Sequence, residues 1–422
     1  MTQTPIVEAE KASPTDLQDE RLIRPQGVRG NIGAQIKRVR TGDLGSLPVI
    51  IGLVVIFIIF QILNSAFLGP QNLSDLISGA TAVGVTSIGI VLVLLLGQID
   101  LSVGSMAGVT SAIFGVMLTQ WLWPEWAIIL VALGAGAVVG LIYGFLFVRF
   151  GVPSFVITLA GLLTLLGVQL FILGATGTVN IPFASALVSF SLLDYLPAWL
   201  ALILAVVAAG GYAVSALLGA RSRSRAGLSA PGKVGIFVKG GILLVALVAI
   251  IEYLNTGGDT AGLSDAFVLF VILVVIMNYI LKRTKWGRSV FAVGGNVEAA
   301  RRAGIRVNRV YVLVFVLCSM FAALGGLLYA GHLGSAGLDS GSGDFNLDAI
   351  AAAVIGGTSL FGGRGSAWSA LLGIIVIWSI SNGLQLLSLN SDVRYMITGA
   401  VLLLAVIVDS LSRRSRAAAG RA

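Results

Sequence analysis

The sequence predicts an all-α polytopic membrane protein of about 12 transmembrane helices, with broken or re-entrant segments and an internal repeat of two halves. Three observations support this fold class. The 422 residues are 57% hydrophobic and 11% charged, which leaves too little polar surface for a soluble domain. Apolar runs long enough to cross a ~30 Å hydrocarbon core recur along the chain. The 54 glycines allow helices to approach closely in lipid.

The predicted elements follow one another between two polar tails. Residues 1–46 have mixed charge and no signal-peptide pattern, so we expect a disordered cytoplasmic tail. The transmembrane domain covers 47–410, and a basic cytoplasmic tail covers 411–422. The apolar segments lie near 47–66, 76–96, 101–119, 126–148, 154–174, 197–218, 234–254, 266–281, 310–330, 348–362, 367–388 and 394–409.

The charged residues alternate in sign from one set of loops to the next. One set holds most of the lysines and arginines, among them Arg149, Arg221, Lys282, Arg301 and Arg364. The other set holds acids, among them Asp75, Asp194, Asp259, Asp344 and Asp348. Because basic loops stay in the cytoplasm, this alternation predicts that both termini are cytoplasmic. It also explains the net charge of +8 without a nucleic-acid partner.

Several function classes lack the residues that they need. Cys318 is the only cysteine and His332 the only histidine, so we expect no metal site and no bound cofactor. No GxxxxGK[ST] motif is present, so we expect no ATPase site in this chain. A membrane enzyme would need clustered carboxylates, whereas Asp339, Asp344 and Asp348 fall in or beside a Gly/Ser-rich loop. An ion-coupled secondary transporter stays open as the alternative to an ATP-driven one.

Three glycines repeat at four-residue spacing in the fourth apolar segment. Gly136, Gly140 and Gly144 would form one smooth helix face, which suits tight helix packing. The alternative is chance placement in a glycine-rich chain.

Polar and glycine residues interrupt the apolar pattern at 97–105. Gln98, Asp100, Ser102 and Gly104 lie here between two spans that have almost no loop between them. We expect the side chains of Asp100 and Ser102 to cap the next helix. Irregular backbone at membrane depth persists only inside protein or beside a water-filled path. Two interpretations remain open, a tight capped turn and a direct role in the transport path.

A second interruption, 355–366, is also rich in glycine and polar residues and also leads directly into a span. It contains Gly357, Thr358 and Ser359. We interpret the two interruptions as corresponding broken elements of two repeated halves.

The basic loop 282–309 contains a short segment with its own helix signals. Asn296 is suited to an N-cap, Glu298 to the first turn, and Gly304 to the position after the last turn. Arg301 and Arg302 fall in the last turn. Such a helix is either a rigid contact for a soluble partner or an interfacial helix on the membrane.

Four motifs in order resemble the ribose/xylose/galactose class of ABC-importer permeases. They are GQIDLSVGS (97–105), VPSFVITLAG (152–161), GGNVEAARRAGI (294–305) and DAIAAAVIGGTSLFGG (348–363). The resemblance covers nearly everything from residue 47 onward. The extra segment pair 197–254, joined by a basic linker, is similar to an insertion in the permeases of xylose importers. Gln98, Arg302 and Ala303 depart from the motifs of the class.

This resemblance implies a type II ABC-importer-like permease for a monosaccharide, with D-xylose as the expected substrate, in a bacterial plasma (inner) membrane. It implies a permease homodimer in lipid, an ATP-binding ABC subunit that uses the ATP, and an extracytoplasmic sugar-binding protein. The implied coupling helix that contacts the ATPase comprises Gly295, Asn296, Glu298, Ala299, Ala300, Arg301, Arg302 and Gly304. The candidates for the translocation path or broken helices are Gln98, Asp100, Ser102, Gly104, Pro153, Ser154, Gly357, Thr358 and Ser359.

Overall fold

The structure is a computed structural model that describes residues 47–341 and 343–390, together with 392, 393, 396, 397, 399, 400, 403 and 407. The predicted tails, 1–46 and 411–422, lie outside the described residues, as does most of the predicted segment 394–409. The described chain is almost entirely helical, which confirms the predicted fold class.

We number the helices α1 to α14. They are α1 (Leu47–Leu63), α2 (Pro70–Leu95), α3 (Val103–Thr119), α4 (Glu125–Phe150), α5 (Ser154–Leu173), α6 (Ala186–Val188), α7 (Ala198–Arg225), α8 (Lys233–Asn255), α9 (Asp265–Arg283), α10 (Lys285–Gly295), α11 (Val297–Arg302), α12 (Val307–Leu333), α13 (Asp344–Ile355) and α14 (Trp368–Leu386). Helix α6 continues into a π-helical segment, Ser189–Leu193. Two short strands, β1 (Thr178–Asn180) and β2 (Ser335–Gly337), pair antiparallel.

Eight described helices are long and apolar enough to cross a membrane, namely α2, α4, α5, α7, α8, α9, α12 and α14. Two shorter apolar helices, α1 and α3, match the predicted segments 47–66 and 101–119. The predicted segment 348–362 overlaps α13, which begins before it at Asp344 and ends at Ile355. Its 12 residues span about 18 Å, too short for a bilayer crossing, so this element is a broken or re-entrant segment.

Local sequence explains several helix ends. Pro70 opens α2, where a missing N–H removes no helical hydrogen bond. Glu125 lies in the first turn of α4 and Arg149 in its last, so both charges complement the helix dipole. Helix α12 ends at Gly334, whose φ of +62° favours glycine.

The chain divides into two compact units, and each is described by itself. Among the described residues, one comprises Pro197–Tyr253. Its described part holds α7 and nearly all of α8, and it corresponds to the segment pair 197–254 that the sequence distinguishes. On α7, Ala201, Ala205 and Ala209 are buried at four-residue spacing. The other unit comprises Leu44–Leu196 and Leu254–Ala422 and contains every other described helix.

The core of the larger unit is built around α12, which packs against α2, α3 and α4. Helix α2 is the most enclosed, since 94% of its most apolar stretch is buried. Helices α13 and α14 pack on each other and on α2. Helix α2 is therefore enclosed by protein along its length. It forms one rigid element of about 39 Å, which connects the parts of the protein that contact its two ends.

Candidate functional site

A short helix with a cap at each end follows α10 in the loop between α9 and α12. The Asn296 side chain accepts a hydrogen bond from the Ala299 amide at 2.9 Å, as an N-cap does. At the other end, the amide of Ile305 donates to the Ala300 carbonyl at 3.1 Å, and that of Gly304 donates to Arg301 at 3.0 Å. With a φ of +80° at Gly304, this pair of bonds is a Schellman motif. The local helix signals predicted for this segment are confirmed.

Most of α11 faces away from the protein. Ala300 is buried, and Val297 and Ile305 pack on the core, so three apolar side chains anchor the helix. Glu298 and Arg301 form an exposed ion pair at 2.6 Å, which contributes little to stability at this exposure. The other predicted contact residues are also exposed: Gly295, Asn296, Ala299, Arg302 and Gly304. The anchored base and exposed outer face give a rigid surface, not a flexible connector.

Arginines flank this helix on one side. A recess of about 340 Å³ is lined by Arg301, Arg306, Val307, Asn308 and Arg309. No acidic residue lines this recess among the described residues, so the surface beside α11 is strongly basic. We call the end of the larger unit that carries α10, α11 and the loop after α13 the basic end.

Three glycine-containing segments, one of them the end of α10, are in close backbone contact. The amide of Gly363 donates to the carbonyl of Leu95, the last residue of α2, at 2.8 Å. An ideal Cβ on Gly294 would overlap that same carbonyl oxygen. An ideal Cβ on Gly362 would lie 2.7 Å from the Gly294 carbonyl and 2.9 Å from the Gly97 amide. We call Leu95, Gly97, Gly294, Gly362 and Gly363 the glycine junction.

The glycine junction joins the end of α10 to both interrupted stretches that the sequence analysis distinguishes. Such close backbone contact requires residues without a Cβ, at Gly294 above all. In the sequence Gly294 is only one residue of a longer motif, and nothing local shows which distant backbone it contacts. A displacement of α11 would reach the breaks before α3 and after α13 through this contact.

The break between α2 and α3 is organised by Asp100, which is 1% exposed. Its carboxylate accepts bonds from the amide and hydroxyl of Ser102 at 2.8 and 2.7 Å, and the Cys318 thiol lies 3.6 Å away. Burial raises the pKa of the Asp100 carboxyl, and these hydrogen bonds oppose the shift only in part. The expected cap by Ser102 is wrong: Ser102 occupies the N-cap position, but its hydroxyl donates to Asp100 and caps no amide. The hydroxyl acts here as a donor to the Asp100 carboxylate, whereas a cap would use its oxygen as an acceptor.

The structure brings together some of the candidate path residues. The Ser154 hydroxyl accepts from the Ile99 amide at 3.3 Å, so α5 holds the break beside Asp100. The Gly104 amide lies 3.4 Å from the Asn346 side chain, which also donates to the Leu101 carbonyl at 2.9 Å. Asn346 thus ties the break to α13.

The other candidates are divided between surface and interior. Gln98 is half-buried, and Pro153 and Gly357 are exposed. Thr358 and Ser359 are buried in the loop after α13, where the Thr358 hydroxyl has no hydrogen-bond partner among the described residues. All nine candidates are described residues, and none of them lines the large cavity of this unit.

That cavity, of about 790 Å³, lies at the opposite end of α2, which we call the acidic end. Its carboxylates come from three residues, Asp75 on α2 and Asp344 and Asp348 on α13. Aromatic residues also line it, among them Tyr329 of α12 and Trp378 of α14. The sequence alone did not place Asp75 beside Asp344 and Asp348, because residues so far apart in the chain are brought together only by the fold.

Two further groups define the cavity wall. The Asn72 and Asn382 side-chain amides hydrogen-bond each other reciprocally at 2.9 Å and so join α2 to α14. Tyr195, in the connection before α7, also lines the cavity. Burial raises the pKa of Tyr195, and the neighbouring Asp75 raises it further.

Comparisons with known proteins agree with this architecture. The family model described as "Branched-chain amino acid transport system / permease component" matches residues 72–406. The xylose transport system permease protein of Escherichia coli (strain K12) is 34% identical over 83% of this chain and 88% of its own length. Its Haemophilus influenzae counterpart is 30% identical over 89% and 99%. The ribose import permease protein of Bacillus subtilis (strain 168) is 31% identical over 87% and 94%.

No solved structure gives a significant match to the chain. The family match covers well over half of the sequence, and the relatives are matched over most of their length. The chain therefore belongs to the family of branched-chain amino acid transport system permease components, and within it resembles the ribose- and xylose-type sugar permeases of ABC importers.

Proposed function

We propose that this chain is the membrane-spanning permease subunit of an ATP-driven importer of a monosaccharide, and that the monosaccharide is D-xylose. The observation that carries the proposal is α11, an exposed helix capped at both ends and fixed to the core at the basic end. Its motif is one of the four that resemble the sugar permeases. Through the end of α10, this helix is connected to both of the broken segments, which suits a contact surface for a partner subunit.

The arrangement supports a specific set of partners. If the basic end faces the cytoplasm, as the loop charges predict, α11 is presented to a soluble ATP-binding subunit. ATP is then bound and hydrolysed by that subunit and not by this chain. The acidic end faces outward, where a sugar-binding protein delivers the substrate. A second copy of the permease completes the importer in the membrane, by resemblance to the class.

The choice of sugar rests on the relatives and on one insertion. The two xylose permeases are 34% and 30% identical to the chain, against 31% and 28% for two ribose permeases. These values alone do not separate the sugars. The segment pair 197–254 favours xylose, because a similar insertion with a basic linker is a feature of xylose permeases.

Uptake of labelled D-xylose, measured in cells with and without this chain, tests the proposal. We expect ATP-dependent uptake to be lost without the chain, and excess unlabelled ribose or galactose not to compete. Loss of another sugar's uptake instead would keep the permease and overturn xylose. Unchanged uptake of every sugar would overturn the permease itself.

A second arm of the same experiment addresses ion coupling. A protonophore added while cellular ATP is held constant should leave uptake intact in an ATP-driven importer. Collapse of uptake under this treatment would favour the ion-coupled alternative.

Reversing the charge of Glu298 should uncouple ATP hydrolysis from transport. Glu298→Arg places a third cation beside Arg301 and Arg302 on the surface that we propose contacts the ATPase. We expect sugar uptake to fall about tenfold or more, a loss of about 1.4 kcal/mol in coupling, while the protein still inserts. Uptake and ATPase activity should be measured on the same reconstituted complex.

The double variant Glu298→Arg with Arg301→Glu is the matched control, because it restores the ion pair with reversed polarity. If Glu298 acts only through its ion pair with Arg301, the double variant regains full transport. If Glu298 contacts the ATPase, transport stays low. Gly304→Pro gives a further check, since proline cannot adopt a φ of +80°. Normal uptake by both Glu298→Arg and Gly304→Pro would refute the role of α11.

A further inference from the structure

The cavity at the acidic end has the volume of a small-molecule site. Its volume of about 790 Å³ falls in the range of roughly 300–1,000 Å³ that is usual for small-molecule pockets. Its walls come from α2, α12, α13 and α14, all of which belong to the larger unit. The cavity is thus formed within a single chain and does not require a second copy of the permease.

One buried polar group in this cavity lacks a partner. Asp348 is 9% exposed, and its carboxylate accepts no hydrogen bond from any described residue. A buried carboxylate without donors is costly, and a donor that enters the cavity would remove that cost. On α14, the indole N–H of Trp378 likewise has no hydrogen-bond partner among the described residues. The cavity therefore offers an unused acceptor and an unused donor.

Apolar surface lies beside these polar groups. Tyr329 and Phe345 pack edge to face, with ring centroids 5.1 Å apart. Trp378 lies closely against α2, since an ideal Cβ on Gly79 would be 2.6 Å from its indole nitrogen. Aromatic faces next to hydrogen-bonding groups suit a ligand that has both C–H surface and hydroxyl groups.

The charge of the wall distinguishes between two ligand classes. Three carboxylates line the cavity, while His332 is its only basic side chain among the described residues and no lysine or arginine is present. An amino acid could place its ammonium group on these carboxylates, but its own carboxylate would find no lysine or arginine to pair with and would be repelled by the other acids of the wall. A neutral sugar has hydroxyl donors for these same oxygens. The wall disfavours the amino acids that the family description mentions.

From these observations we propose that the cavity is a monosaccharide site within each permease chain, in which Asp348 accepts hydroxyl hydrogen bonds and Trp378 contacts the sugar ring. The proposal rests on the sugar transport proposed above. The site receives the sugar at the outer end of α2 before the sugar passes toward the basic end.

Protection from labelling tests the site without measuring transport. Ser381, which lines the cavity, is changed to cysteine, and the full chain in lipid nanodiscs is treated with a maleimide. The native Cys318 is buried and should stay unlabelled. We expect D-xylose at a concentration equal to its Kd to slow labelling about twofold. Asp348→Asn combined with Ser381→Cys should abolish this protection.

Two controls define the result. Asp259→Cys places the thiol on an exposed residue outside the cavity lining, and its labelling rate should not change with sugar. Leucine and sodium chloride should give no protection at Ser381→Cys. Protection by leucine or by sodium ions would overturn the sugar assignment, and absence of protection by any of these ligands would overturn the site. Because uptake is measured separately, a failed site with intact xylose uptake is distinct from a failed sugar permease.

Discussion

Replacement of Gly294 by alanine should abolish transport, although it adds a single methyl group. The new Cβ would overlap the carbonyl oxygen of Leu95 and lie 2.8 Å from the Gly363 amide. Both contacts are with backbone, which cannot rotate away as a side chain can. The end of α10 would have to move, which breaks the contact that joins α11 to α2 and to the loop after α13.

We expect Gly294→Ala to reduce sugar uptake at least tenfold, which corresponds to about 1.4 kcal/mol, while ATP hydrolysis by the assembled complex continues. The matched control is Gly167→Ala on α5, where an added Cβ meets nothing within 4 Å. Uptake and ATPase activity are measured for both variants in proteoliposomes. Wild-type uptake by Gly294→Ala would show that the glycine junction transmits nothing. Loss of ATPase activity together with uptake would show that the complex no longer assembles.

The helix α11 shows what local sequence could predict. Its N-cap and its C-terminal glycine depend on side chains and backbone within a few residues of each other. Asn296 and Gly304 were therefore sufficient to predict both ends of the helix. The eleven predicted apolar segments that fall on described residues each contain a helix for a similar reason, since hydrophobicity is averaged over a local window. The predicted repeat of two halves depends on three-dimensional superposition and stays a prediction.

The glycine junction and the cavity could not be predicted from local sequence. Leu95, Gly294 and Gly363 come from three distant parts of the chain, and only the packed fold shows that their backbones meet. The same holds for Asp348 and Trp378, whose joint exposure to one cavity depends on how α13 and α14 pack. At Ser102 the prediction failed because the hydroxyl donates to the neighbouring Asp100 carboxylate and its oxygen accepts from no amide of α3.

The packing of α4 on α12 can be tested by comparing substitutions on the buried and exposed faces of α4. Gly136, Gly140 and Gly144 are all buried on α4. An ideal Cβ on them would lie 2.8 Å from the Ser319 carbonyl, 2.5 Å from that of Phe315 and 2.7 Å from the Cα of Val312. All three contacts are with the backbone of α12, so the backbones of the two helices approach each other closely along this face.

Replacement of Gly140 by leucine should therefore prevent stable folding. A whole side chain would be forced between two backbones, and overpacking of this kind costs about 1–3 kcal/mol or more. Gly134→Leu is the matched control, because Gly134 is exposed on the same helix and an added Cβ there meets nothing within 4 Å. Leucine at that surface faces lipid, which favours it slightly. Thermal unfolding and the monodisperse fraction in detergent should separate the two variants clearly. Equal melting temperatures would mean that α4 and α12 can separate without loss, and that the buried glycine face does not hold the larger unit together.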